Sequence, residues 1–304
     1  MSELAIKMVE VSKSFGQHHV LRDLDLEVPT QSIFAFVGNN GEGKSTAIRL
    51  ILGLLQPDRG HVQVFGRNMR THRKDLIADI GCLVEAPSAY PNLTAREFLN
   101  IARVLKSLPA SEIDRVLALV NLKTDAARLI SKFSLGMKQR LALAHALMGQ
   151  PKLLILDEPT NGLDPSGIQE IRELLCRLPE KTGCTVFVSS HQLDELDKMA
   201  SHLALLQGGV LRFQASMETI RQQQNSVVQL QVDDQIAALN LLHAEGFQAD
   251  LHGSSHVIVK DVAQGAVWRL NELLVRAGIR LHESRSESLS LEQWFHQQTQ
   301  RGAA

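Results

Sequence analysis

Gly38-Asn39-Asn40-Gly41-Glu42-Gly43-Lys44-Ser45 reads G-x-x-x-x-G-K-S, and what flanks it decides the fold. Five apolar residues, Ile33-Phe34-Ala35-Phe36-Val37, precede it, and Thr46-Ala47-Ile48-Arg49-Leu50-Ile51-Leu52 follow at helical spacing. This order predicts a strand, a glycine-rich turn and a helix N-terminus. The glycines let the backbone wrap so that successive N–H groups point at one anion. The helix dipole adds partial positive charge at the same point. Gly38, Asn39, Asn40, Gly41, Glu42, Gly43 and Thr46 form the cradle, Lys44 reaches the β- and γ-phosphates, and the Ser45 hydroxyl is placed to ligate Mg²⁺. The expected ligand is a nucleoside triphosphate.

Further along, Leu153-Leu154-Ile155-Leu156-Asp157-Glu158 is an apolar run ending in two carboxylates. A buried strand delivers such a pair to its C-terminal edge, where ligands of α/β sheets sit. Asp157 is placed to hold Mg²⁺ through its waters, opposite Ser45. Glu158 is placed to polarise the attacking water, work that needs a carboxylate within hydrogen-bond reach. Thr185-Val186-Phe187-Val188-Ser189-Ser190 is another buried strand with a polar end, and His191 leaves it as Asp157 and Glu158 leave theirs. That places His191 near the γ-phosphate, where it would stabilise charge and help to orient water. Asp164 has two readings, as the N-cap of a helix beginning at Ser166 or as part of the site. Ser134 and Gly136, just before another helix, are either a second anion site or a simple cap. Spacing alone leaves both pairs of readings open.

Around these motifs, Leu4 to Val11 and Leu24 to Val28 read as antiparallel strands, and Gly60 to Gly66 as a short strand. Residues from about Arg73 to Ile130 read mostly as helices, so a helical lobe spans about 73–148. Helices are expected over Gly136 to Met148 and Ser166 to Leu178, with strands at Leu153 to Leu156, Thr185 to Ser189 and His202 to Leu206. The alternation predicts parallel strands joined by crossover helices. Met217 to Asn225 reads as a helix end running into a linker, and the pattern then restarts. Val227 to Val232, Phe247 to Leu251, His256 to Lys260 and Ile279 to Glu283 read as strands, and Ile236 to Ala244 and Val262 to Ala277 as helices. That β-α-β-β-α-β order predicts a small split-βαβ, ferredoxin-like α+β domain over 226–304, after a first domain of 1–220. A last helix, Ser290 to Gln298, carries Trp294 and Phe295 as core residues.

Composition narrows the class. At 304 residues the chain suits one large and one small domain, with 44% hydrophobic and 21% charged residues. A formal net charge of −1 gives no global field that favours nucleic acid. Cys82, Cys176 and Cys184 are scattered and read as reduced core thiols. Met1 to Lys7 has no signal-peptide apolar region, and no apolar run approaches the roughly 20 residues that span a bilayer. Any membrane role therefore calls for a partner.

The ordered set from Gly38–Ser45 through Ser134, Leu153–Glu158 and Asp164 to His191 resembles the ATP-binding cassette family over roughly residues 4 to 215. The resemblance implies a P-loop NTPase core with an antiparallel β subdomain and a helical lobe. It implies ATP and Mg²⁺ as cofactors, ATP hydrolysis, and a head-to-tail dimer with a second copy or a paralogous subunit. Each ATP would then lie between the phosphate loop of one cassette and Ser134 and Gly136 of the other. Phe15 matches the aromatic that stacks on adenine, and Asp164 the loop that crosses the dimer interface. The usual L-S-G-G-Q signature is here Phe133-Ser134-Leu135-Gly136-Met137, with Ser134 and Gly136 kept and Leu135 in place of a glycine. Glu85 takes the position of the usual glutamine and is a further candidate ligand for Mg²⁺ and the nucleotide. The stretch Ile80 to Thr94 and the run Ser134 to Arg140 resemble the bacitracin-resistance and lantibiotic-immunity branch. The implied function is the ATPase subunit of an exporter of a peptide antibiotic or similar amphiphile. Such a subunit sits at the cytoplasmic side of the membrane through a permease, without nucleic acid. The alternative is a soluble cassette ATPase acting on nucleic acid or ribosomes. Glu42, where small residues are usual, is expected to point to solvent, because phosphate would repel it.

Overall fold

Strict alternation of buried Leu24, Leu26 and Val28 with exposed Asp25 and Glu27 makes a strand with one wet face. The computed structural model, which describes residues 3–84, 89–223, 226–253, 256–262, 266–288, 291 and 294, extends this strand and its partner well beyond the expected bounds. They are β1 (Leu4–Phe15) and β2 (His18–Pro29), paired antiparallel. β3 (Ile33–Val37) has all five residues buried, as a strand covered on both faces requires. The glycine-rich turn leads from it into α1 (Lys44–Ile51). β4 (Arg59–Val64) returns to pair with β1, and β5 (Arg67–Asn68) pairs with β4. The antiparallel sheet is therefore ordered β2-β1-β4-β5.

After α2 (Met69–Leu76), β6 (Ile80–Leu83) forms inside the stretch expected to be helical. Four residues with a glycine carry too little pattern to announce a strand. A Cβ on Gly81 would stand 2.2 Å from the Ala146 carbonyl oxygen, so this glycine admits the close approach of a later helix end. The helical lobe follows with α3 (Ala95–Leu105), α4 (Ser111–Leu119) and α5 (Leu135–Ala146). A reciprocal capping box of Thr94 and Glu97 starts α3. β7 (Leu153–Asp157), α6 (Pro165–Thr182), β8 (Thr185–Ser190), α7 (Leu193–Asp197), β9 (His202–Gln207) and β10 (Val210–Ser216) complete the series. The larger sheet runs β10-β9-β3-β8-β7-β6, and the five strands from β9 to β6 are parallel. Its centre is aromatic. The Phe34 and Phe187 rings stack with centroids 5.7 Å apart, and Phe36 meets Phe187 at 5.5 Å. Full burial of each such ring stabilises the fold by about 2–3 kcal/mol.

The chain divides into two compact units, Met1–Ala215 and Ser216–Ala304. In the second, α8 (Met217–Gln223) precedes β11 (Ser226–Val232), α9 (Gln235–Ala244), β12 (Gln248–His252), β13 (His256–Val262), α10 (Val267–Arg276) and β14 (Leu281–Ser288). The sheet order is β12-β13-β11-β14, with every neighbouring pair antiparallel. That is the expected split-βαβ arrangement. Val228, Leu230, Val257 and Val259 on one sheet face share a core with Leu242 of α9 and Leu270 and Leu274 of α10. α10 starts at Val267 rather than Val262, because Val262 still pairs in β13 with Ser226. Trp294 is buried, while Phe295 and most of the expected last helix lie outside the described residues.

The cysteines depart from expectation. Only Cys184 is buried; Cys176 is half-buried and Cys82, on edge strand β6, is exposed. Among the described residues, no helix is long and apolar enough to cross a membrane.

Candidate active site

Three neighbouring parallel strands, β3, β8 and β7, end at the same edge of the sheet. Their C-terminal ends carry the phosphate loop, Ser189 to His191, and Asp157 with Glu158. The topology thus gathers residues separated by more than a hundred positions. Gly43 caps α1 with φ 104°, and a Cβ there would stand 2.8 Å from Leu21 Cδ2. Only glycine fits both the left-handed conformation and the crowding.

Lys44 is buried at the start of α1. Its Nζ donates to the carbonyls of Gly38 at 2.6 Å and Asn39 at 3.2 Å, and lies 3.3 Å from Glu158 Oε1. Ser45 Oγ donates to Asp157 Oδ2 at 2.8 Å, so the two candidate metal ligands are adjacent. His191 Nδ1 is 2.9 Å from Glu158 Oε2. The Glu158 carboxylate therefore stands between Lys44 and His191, one oxygen toward each. Hydroxyl and carboxylate oxygens suit a hard cation such as Mg²⁺, which takes few protein ligands and completes its shell with water and phosphate oxygens. Accordingly, the described residues hold no group of three or more His, Cys, Asp or Glu able to bind a metal by themselves.

A cavity of about 630 Å³ opens over these groups. Phe15, Asn39, Asn40, Gly41, Gly43, Lys44, Ser45, Thr46, Asp157 and Glu158 line it. Leu135, the residue in place of the usual glycine, lines it as well, and so do Val20, Lys138, Gln139 and Asn161, which sequence reasoning did not pick out. Gln139 Nε2 donates to the Pro159 carbonyl at 2.7 Å, tying α5 to the loop after Glu158. Phe15 is half exposed, as a platform for a flat ring must be.

Ser134, Gly136 and Asp164 are elsewhere. They line a second cavity of about 390 Å³ that contains no residue of the phosphate loop. Both cap readings hold: Ser134 Oγ accepts from the Met137 N–H at 3.2 Å, and Asp164 Oδ1 from the Gly167 N–H at 3.1 Å. A Cβ on Gly136 would meet nothing within 4 Å.

Glu42 corrects the expectation of a side chain in solvent. It is half-buried, and its Oε2 accepts from the Gly208 N–H in the turn between β9 and β10. The partner lies 166 positions away, beyond any local pattern. Glu85 lies outside the described residues.

The wider comparisons agree with this geometry. Residues 21–161 match the ABC transporter family profile. The bacitracin transport ATP-binding protein BcrA of Bacillus licheniformis is 37% identical, over 95% of each chain. The lantibiotic transport ATP-binding protein SrtF of Streptococcus pyogenes is 38% identical, over 67% of this chain and 87% of its own. Among solved structures, cbiO1 of Clostridium perfringens, part of the ABC transporter complex cbiONQ, superposes with a TM-score of 0.67 at 26% identity. That match covers 72% of this chain and 91% of cbiO1. With the phosphate loop, both carboxylates and the histidine converging on one sheet edge, these likenesses show that the chain belongs to the ABC transporter family, as one of its ATPase subunits.

Proposed function

We propose that this ATPase powers a membrane exporter of a peptide antibiotic or similar amphiphile. The cassette, residues 1–220, would bind ATP with Mg²⁺ and close head to tail on a second copy or a paralogous cassette. A permease would hold it at the cytoplasmic face of the membrane. The two cavities meet at Leu135, and the observation that carries the pairing is that Ser134 and Gly136 line only the one without the phosphate loop. Ser134 and Gly136 open a helix N-terminus, a natural anion site, yet share no cavity with their own phosphate loop. A partner's triphosphate would fill that role. The names of BcrA and SrtF support the cargo class, and they leave the nucleic-acid alternative without support.

In the proposed mechanism, the loop N–H groups and Lys44 bind the phosphates. Ser45 and Asp157 would hold Mg²⁺, whose chemistry is to neutralise charge on the phosphate oxygens. Glu158 orients and deprotonates water, and His191, bonded through Nδ1, fixes the carboxylate. Asp164, at the rim of the second cavity, would face the partner. Glu158→Gln should cut ATP turnover by about 100-fold or more while ATP still drives dimerisation. Steady-state ATPase assays and size-exclusion chromatography check this, and wild-type turnover in the variant would contradict it.

A further inference from the structure

A fully buried polar side chain needs partners, and the partners show what it is for. Ser189 in β8 has 0% of its surface exposed. Its three predecessors, Val186, Phe187 and Val188, are apolar and equally buried, so an apolar residue at 189 would continue the strand as well. The hydroxyl instead makes two bonds. It donates to Asp157 Oδ1 at 2.5 Å and accepts from the Glu158 backbone N–H at 3.1 Å. The Ser189 carbonyl accepts from the same N–H at 3.2 Å. Register explains the meeting, since Ser189 stands opposite Asp157 in the parallel pairing of β7 and β8.

Glu158 has φ 48°, a left-handed conformation uncommon for residues other than glycine. Such a conformation persists where surrounding contacts fix it. The fixing contact is the N–H bond to Ser189. Two residues further on, His191 holds the other end of Glu158 through Oε2. The end of β8 and the residue just after it thus grip Glu158 twice, at the main chain and at the carboxylate. With Asp157 Oδ1 taken by Ser189, Oδ2 is turned to Ser45.

We propose that Ser189 is a positioning residue for ATP hydrolysis, its hydroxyl, aimed by its bond to Asp157 Oδ1, pinning the backbone of Glu158 so that the carboxylate stands between Lys44 and His191. This rests on the reading of Glu158 as the water-orienting group. Ser189 takes no part in bond making: it has no exposed surface and does not line the cavity over the phosphate loop.

The test uses the full chain with Ser189→Ala, the near-isosteric Ser189→Cys, Glu158→Gln, and the double variant Ser189→Ala/Glu158→Gln. A thiol is a weak donor, so Cys keeps the packing and loses the bonds. Misplacing a reacting group by about 1 Å can cost about 100-fold. Ser189→Ala and Ser189→Cys should therefore each lower kcat by about 10- to 100-fold, with KM for ATP within about twofold of wild type. In single-turnover assays the double variant should be no slower than Glu158→Gln alone, because Ser189 acts through Glu158. Wild-type kcat in Ser189→Ala, with Glu158→Gln inactive, overturns the role of Ser189 alone. So does a loss that adds to that of Glu158→Gln, or one matched by an equal loss of ATP binding. Wild-type turnover in Glu158→Gln overturns the reading of Glu158 instead.

Discussion

A carboxylate inside a loop built for polyanions is an electrostatic liability, and Glu42 is that residue. Its bond to the Gly208 N–H gives it a use: it tethers the phosphate loop to the turn between β9 and β10. Arg22 holds the same turn from β2, donating Nη2 to the Gly208 carbonyl at 2.7 Å and its backbone N–H to the Gly209 carbonyl at 2.9 Å. Loop, turn and antiparallel sheet are joined through two side chains. Glu42→Gln keeps an acceptor and removes the charge, so it should bind ATP about two- to fivefold more tightly by calorimetry. Glu42→Ala keeps neither, and the Gly208 amide should lose about tenfold protection in hydrogen exchange. The sequence exposed Glu42 as odd but not its partner. Ser189 was hidden differently, because a polar end to a buried strand reads as the strand's exit toward the site.

At the scale of elements, the central strands were the most legible. β3, β7 and β8 are buried on both faces, and their apolar runs bound them almost to the residue. β6 was not legible, because its pairing with β7 is non-local and its glycine serves a helix end. α6 runs on through Pro179 to Thr182, past the expected stop at Leu178; the proline has no N–H to donate, and the last turn is closed by Thr182 Oγ1 on the Leu178 carbonyl at 2.7 Å and the Gly183 N–H on the Pro179 carbonyl. In the helical lobe, Glu112 of α4 is buried and accepts two bonds from Arg115, at 2.9 and 2.5 Å, and one from the Gly149 N–H at 2.8 Å. The Arg115 bonds, against the cost of burial and with help from Gly149, hold its carboxyl below the ordinary 4.5. The stabilisation is therefore complete above that value and lost as pH falls through the lower folded value. His145 of α5 adds to the same trend. Burial, with the Lys106 charge, lowers it from 6.5, so the unfolded chain takes the proton first and stability falls below that pH. Thermal melting should therefore weaken in two stages on acidification. Glu112→Gln should shrink the lower stage and cost about 3 kcal/mol at neutral pH, because it leaves Arg115 without its charge partner.

In the proposed head-to-tail dimer, each chain carries halves of two different sites. Phe15, the phosphate loop, Asp157 and Glu158 share one cavity, and Ser134, Gly136 and Asp164 another. A Cβ at Gly136 would meet nothing within 4 Å beyond its own stretch of helix. Gly136→Asp should accordingly fold and bind ATP at its own loop, since an acidic residue in the first turn of α5 suits the helix dipole. Its carboxylate would repel only a partner's phosphates. Lys44→Ala has the opposite defect, an intact Ser134–Gly136 face and a broken loop. The decisive measurement is the ATPase rate of the two inactive variants, separately and mixed. Random pairing makes about half of the dimers mixed, each with one complete site, so about a quarter of the wild-type rate should return. A mixture no faster than the sum of its separate components would contradict the head-to-tail site.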